Sequence, residues 1–104
     1  MEKALDRIID YAVCAARPEK IVLFGSFANG KNDIYSDVDL LVVTEHSYMK
    51  KELEARISSI AKEYSLNADI LIHTPSEIEK AYKKPFSFLS SIISGGIIVY
   101  EKST

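Results

Sequence analysis

Three aspartates and a Gly-Ser pair are the residues of this chain whose types and spacing could do chemistry. Asp37 and Asp39 stand one residue apart at the start of DVDLLVV, residues 37–43, and Asp69 stands at the start of a second apolar run, NADILIH, residues 67–73. A carboxylate leading into an apolar strand is costly, and two of one sign on one face also repel, so something should compensate them. Side chains alternate across a strand, which places Asp37, Asp39, Leu41 and Val43 on one face and Val38, Leu40 and Val42 on the other. The two aspartate Cα atoms then lie roughly 6.5–7 Å apart, close enough for both carboxylates to reach one cation. Mg2+ takes a few carboxylate oxygens and completes its shell with water and substrate phosphate, so a divalent ion is the natural compensator.

If the two strands are neighbours, Asp69 completes a carboxylate triad at one edge of the sheet, able to hold two ions that flank a phosphorus centre. Asp69 is then also the candidate to draw the proton from an attacking hydroxyl. Gly25-Ser26 follows the apolar run Ile21, Val22, Leu23, Phe24, and would close that strand at the same end if it runs parallel, or nearly so, to the geometry needed. Glycine lets the backbone approach a phosphate closely, and Ser26 at the start of a helical turn offers both an N–H and a hydroxyl to anionic oxygens. Strand, Gly-Ser, loop and paired Asp make a phosphate-and-metal arrangement, which points to a metal-nucleotide.

The elements that must position these residues follow from periodicity and punctuation. Leu5, Ile8, Ile9, Ala12, Val13 and Ala16 predict an amphipathic helix over 3–16 that stops before Pro18. A strand covered on both faces follows at 21–24, then a short helical turn at 26–30 and a turn through KNDIYS. After the strand 37–43, Ser47 is the expected N-cap of a helix over 48–64, with Met49, Leu53, Ile57, Ile60, Ala61 and Tyr64 on its inner face. The third strand is 67–73. Pro75 and Ser76 open a short helix, SEIEKAYKK, that Pro85 breaks. Phe86, Phe88, Leu89, Ile92 and Ile93 predict one more helix, turning at Gly95-Gly96 into a last strand, IIVYE. The order α-β-β-α-β-α-α-β gives an α/β or α+β fold with one mixed sheet of about four strands flanked by helices.

The 104 residues suit a single domain spanning 1–104, with one modest core. A net charge of -2 argues against broad phosphate neutralisation, so no direct nucleic-acid partner is expected, and Lys80, Lys83 and Lys84 read as a solvated helix end. The single Cys14 cannot form an internal disulfide, which suits a reducing, cytoplasmic setting. No apolar run is long enough to cross a bilayer, and MEKALDRIID lacks the basic-then-apolar order of a signal peptide, so no membrane partner is expected. GSFANGKN, residues 25–32, fails the spacing of a P-loop, and His46 and His73 are too few and too scattered for zinc. Asp-x-Asp alone is weak, since acids at strand entrances are often solvated; the weight comes from Gly-Ser and Asp69 beside it.

With those residues in view, GSFANG at 25–30, followed after Gly-Ser and ten residues by the Asp-x-Asp of SDVDLLV at 36–42, resembles the signature of the DNA polymerase β-like nucleotidyltransferase superfamily. The chain is similar to its minimal nucleotidyltransferases, a likeness that extends through NADILI and the ending FL to GGIIVYE and so covers nearly the whole chain. The resemblance implies a mixed-sheet catalytic domain, Mg2+ dependence with two ions, and transfer of a nucleotidyl group, most often from ATP. Position by position it assigns Asp37, Asp39 and Asp69 to catalysis and metal binding, and Gly25, Ser26 and Ser36 to the nucleotide. In the subgroup paired with small helical toxins of the HEPN class, such a protein acts as an antitoxin by adding AMP to a tyrosine of the toxin. One position departs from the pattern: Asn29 stands where the family commonly has arginine, and a neutral amide can offer phosphate only hydrogen bonds. Weaker activity, or transfer of that role to Lys31, is the consequence expected. The reading favoured is an enzyme passing AMP to a protein hydroxyl; the alternative is an antitoxin that neutralises its partner by binding alone. With no second domain at this length, the acceptor should be recognised by an edge of this same domain.

Overall fold

The computed structural model describes residues 2–25, 37–46, 48, 50–84 and 88–103. The predicted turn at 26–30, the turn after it and the cap at Ser47 lie outside the described residues, as do Ser26, Asn29, Lys31, Ser36, Met49 and Phe86. The elements run α1 (Glu2–Ala16), β1 (Lys20–Phe24), β2 (Asp37–Val43), α2 (Lys50–Glu63), β3 (Asn67–His73), α3 (Pro75–Tyr82), α4 (Phe88–Gly95) and β4 (Ile97–Glu101). The strands form one sheet in the order β3-β2-β1-β4.

β1 pairs antiparallel with both β2 and β4, whereas β2 and β3 are parallel. Parallel neighbours need a crossover, and α2 supplies it. The sheet is covered on both faces, as the apolar run at β1 requires: Ile21 and Leu23 pack with α1 and α2, while Val22 packs with α4. The first face carries most of the core, with Ala4, Ile8 and Ala12 of α1 and Leu53, Ile57 and Ala61 of α2 meeting Val38, Leu40 and Val42 of β2. On the second face the fully buried residues are Val22, Leu41, Val43 and Ile92. This thinner layer covers only one end of the sheet, and Asp39 and Asp69 stand beyond it.

Helix ends show where sequence punctuation worked and where it was missed. Arg17 takes a left-handed φ of 45° and donates its N–H to the Val13 carbonyl, 3.1 Å away, which ends α1 ahead of Pro18 as expected. At the end of α2, Ser65 is left-handed at φ 59°, and Leu66 N–H donates back to the Ala61 carbonyl over 2.9 Å. α3 begins at Pro75, as the sequence suggested, with Thr74 as its N-cap, and ends at Tyr82, two residues short of the expected Lys84. The Thr74 hydroxyl accepts from the Glu77 N–H, and the Glu77 carboxylate accepts from the Thr74 N–H over 2.9 Å. That capping box, T-P-S-E, was readable in the sequence and overlooked. The Thr74 amide, helped by His73, holds the Glu77 carboxyl below its ordinary range. A lowered folded value means this cap stabilises above the ordinary glutamate range and stops doing so as pH falls through the lowered value. Thermal melts should therefore lose less on acidification in Glu77→Gln than in the wild type; equal losses would sink the assignment.

Thr44, just past β2, is the buried polar residue among those described. Its hydroxyl donates to the Ala16 carbonyl at 2.7 Å and accepts from the His46 N–H at 3.0 Å, and its own N–H donates to the His73 carbonyl at 2.9 Å. The side chain thus ties the last turn of α1 to the segment just past β2, and the backbone N–H of the same residue ties that segment to the end of β3. Thr44→Val keeps the shape but orphans a helix-end carbonyl, and should cost about 2 kcal/mol in a urea melt. A midpoint unchanged from wild type would show that water replaces the hydroxyl.

No helix among the described residues is long and apolar enough to cross a membrane. Cys14 is an exposed free thiol, on the outer side of α1.

Candidate active site

The parallel pairing of β2 and β3 sets Asp39 directly opposite Asp69. Residues paired across adjacent strands project from the same face with Cα atoms roughly 5 Å apart, so the two carboxylates are neighbours, which meets the condition the sequence left open. Asp37 is the first residue of β2, opposite Asn67, and its side chain lies outside the described residues. On the other side of β2, Phe24 is opposite Asp39. Phe24, Asp39 and Asp69 form one row across three strands.

The direction of β1 corrects one expectation. Gly25 does come to the carboxylate end of the sheet, but through an antiparallel β1 rather than a parallel one. A strand running against β2 finishes where β2 starts, which is the only way the end of β1 can meet Asp39. Gly25 has a φ of +79°, and a Cβ built on it would collide with the Asp39 Oδ2. Glycine serves two needs here: a left-handed turn out of β1, and room for a carboxylate against the backbone. Its partner in the motif, Ser26, and the third nucleotide candidate, Ser36, lie outside the described residues.

A cleft of about 500 Å³ opens over this row, lined by Phe24, Asp39, Asp69, Leu71 and Phe88, and by Glu54 and Ser58 of α2 on the β3 side. The sequence reading missed Phe24, Phe88, Glu54 and Ser58. Glu54 and Ser58 are four apart, beside the buried stripe Leu53, Ile57 and Ala61, so their facing was computable but their nearness to Asp69 was not. Phe88 was assigned to the apolar face of a helix and is in fact 67% exposed, in edge-to-face contact with Phe24.

Among the described residues no three His, Cys, Asp or Glu side chains converge on one point. The described pair, Asp39 and Asp69, faces a cleft whose polar lining offers oxygen donors without imidazole or thiolate. Like charges set opposite one another on adjacent strands destabilise a sheet, and an oxygen-only donor set suits a hard divalent cation. The residues present therefore fit such an ion. A second cleft of about 480 Å³ lies at the far end of the sheet, lined by Lys20, Val43, Ile78, Tyr82 and Ile93 among others, and holds none of the sequence-predicted site residues.

Comparison with known proteins gives the family and the fold. The family model described as nucleotidyltransferase domain matches residues 5–98. A Methanocaldococcus jannaschii protein named "Putative protein adenylyltransferase MJ0141" is 38% identical over 81 residues, covering 78% of this chain and 78% of its own. A second protein of that organism, "Putative protein adenylyltransferase MJ1305", is 27% identical over 112 residues, covering 97% of this chain and 75% of its own. Among solved structures, a nucleotidyltransferase from Sulfolobus solfataricus, described as putative, superposes with a TM-score of 0.58 at 17% identity, over 96% of this chain and 79% of that one; at that identity the likeness speaks for the fold. The α+β architecture and the mixed four-stranded sheet are thus those of a nucleotidyltransferase fold: the chain belongs to the nucleotidyltransferase domain family and is an enzyme of nucleotidyl transfer.

Proposed function

We propose that this protein transfers AMP from ATP to a hydroxyl of a protein partner, a tyrosine of a small helical HEPN-type toxin, and so acts as a cytoplasmic antitoxin by AMPylation. The observation that carries the reading is the register that sets Asp39 beside Asp69, with the Gly25 backbone against Asp39. Protein adenylyltransferase is also the activity in the names of two relatives. Asp39 and Asp69, with Asp37 two residues before Asp39, would hold Mg2+. A bound divalent ion supplies charge neutralisation at phosphoryl oxygens and lowers the pKa of a coordinated hydroxyl.

The chain's own groups divide the remaining work. Gly25, without a side chain, lets the Asp39 carboxylate sit against the backbone, and Ser26 and Ser36 are the donors proposed for the phosphates. The acceptor oxygen forms a bond to the α-phosphorus, the bond from that phosphorus to the α,β-bridging oxygen breaks, and pyrophosphate leaves with the electron pair. The acceptor's proton passes to Asp69. Asp69 lies on the edge strand β3 and is exposed, so a macromolecular hydroxyl can approach it from outside the sheet.

The test is label transfer from α-labelled ATP, with magnesium, to the product of the adjacent gene co-purified with this chain, followed by mass spectrometry of that partner. An AMP adduct on a tyrosine is the expected result. Label retained wholly in ATP, with the partner bound and unmodified, would overturn it.

A further inference from the structure

The aromatic wall of the cleft has no part in the chemistry above. α4 spends its apolar face on the core: Ile92 is buried, and Leu89 and Ile93 pack with it against Val22, Leu41 and Val43. Phe88, the first residue of the same helix, does not join them. It is 67% exposed, and its ring meets that of Phe24 with centroids 6.4 Å apart and planes at 87°. An edge-to-face contact covers at most one face of one ring, and with Phe88 largely exposed the pair presents aromatic surface to a cleft that also holds Asp39 and Asp69. An exposed phenylalanine steadied by one edge contact beside a charged site suits a flat ligand better than it suits folding.

Resting on the nucleotidyl-transfer reading, we propose that Phe88, steadied by Phe24, is the platform on which the nucleobase of the triphosphate stacks. Position decides between the base and an aromatic acceptor. Phe24 is followed directly by Gly25, on the phosphate side, and lies opposite Asp39 on β1. Asp69, where the acceptor must surrender its proton, is two strands away, roughly 10 Å at the usual strand spacing. An acceptor ring held at Phe88 would keep its hydroxyl from Asp69. The base, joined to the phosphates through the ribose, belongs on the β1 side, while the β3 side with Glu54 and Ser58 is left to the acceptor. Stacking on an aromatic face is sequence-tolerant, so the platform contributes affinity for any base.

The experiment compares ATP with inorganic tripolyphosphate, which carries the phosphates without the base, in the full chain with magnesium. Wild type should bind ATP roughly tenfold or more tightly than tripolyphosphate. Phe88→Leu, which keeps apolar bulk and removes the ring, should abolish most of that gap and leave tripolyphosphate unchanged. Phe88→Trp should keep the gap. Because the natural chain has no tryptophan, Phe88→Trp also introduces a single tryptophan, whose selectively excited emission ATP should quench and tripolyphosphate should not. A gap that survives Phe88→Leu, or a fluorophore blind to ATP while ATP is bound, overturns the platform and leaves nucleotidyl transfer standing. If wild type binds neither ATP nor tripolyphosphate, both the platform and the adenylyl-transfer reading fall.

Discussion

Asp37→Asn combined with Asp39→Asn is expected to abolish magnesium-dependent ATP binding while the protein stays folded. Asp39 stands beside Asp69 across the β2–β3 pairing, and Asp37 begins the same strand. Asparagine keeps the size of each side chain and removes the charge that a hard cation requires. Losing charged partners of this kind costs about 2–5 kcal/mol apiece, so affinity should fall by at least roughly 100-fold. Stability should move the other way, if at all. Without metal, like charges on neighbouring strands oppose the sheet, so the double variant should melt at or slightly above the wild-type temperature. Isothermal calorimetry beside a thermal melt separates the two effects. Unchanged ATP affinity in a folded double variant would remove these aspartates from the site.

Asp69→Asn should act on a different quantity. Asp69 is exposed on the edge strand β3, whereas Asp39 lies on β2 against Gly25, the proposed phosphate side. ATP binding can then survive in part without Asp69, but turnover needs a group to accept the hydroxyl proton, a task typically worth 10²–10⁴-fold. Transfer of label from α-labelled ATP should therefore fall roughly 100-fold or more, and ATP affinity much less. The same variant separates an enzyme from an antitoxin that only binds. If catalysis neutralises the toxin, Asp69→Asn should leave the partner unmodified and the toxin active. If both proteins suppress toxicity equally and neither modifies the partner, neutralisation is by binding alone and the catalytic reading fails.

Legibility of the site divides along the same line as legibility of the fold. The spacing of Asp37 and Asp39, and the acid at the head of NADILIH, were visible because residue types and spacing are local to the chain, and their weight came from occurring together with Gly-Ser. Gly25 was visible from its place after β1, though the reason only glycine fits, the Asp39 carboxylate pressed against it, was not. Phe24, Phe88, Glu54 and Ser58 look like ordinary strand or helix residues in the sequence and became cleft residues only through their neighbours. Thr44 is likewise an unremarked residue after a strand until its hydroxyl is found between Ala16 and His46.

By itself, the sequence determined the elements and their inner faces. β2 at 37–43, β3 at 67–73 and β4 at 97–101 lie where alternation and flanking Gly, Pro and Asn placed them, and the inner stripe of α2, Leu53, Ile57 and Ala61, follows helical spacing. Such patterns record burial along one element, and burial is decided within a few residues of chain. Tertiary structure alone decided that β1 runs against β2, that β2 and β3 run together in the register joining Asp39 to Asp69, and that the α3/α4 layer stops short of them. Strand direction and register depend on which distant surfaces fit together, and the same alternation serves a parallel or an antiparallel neighbour equally well.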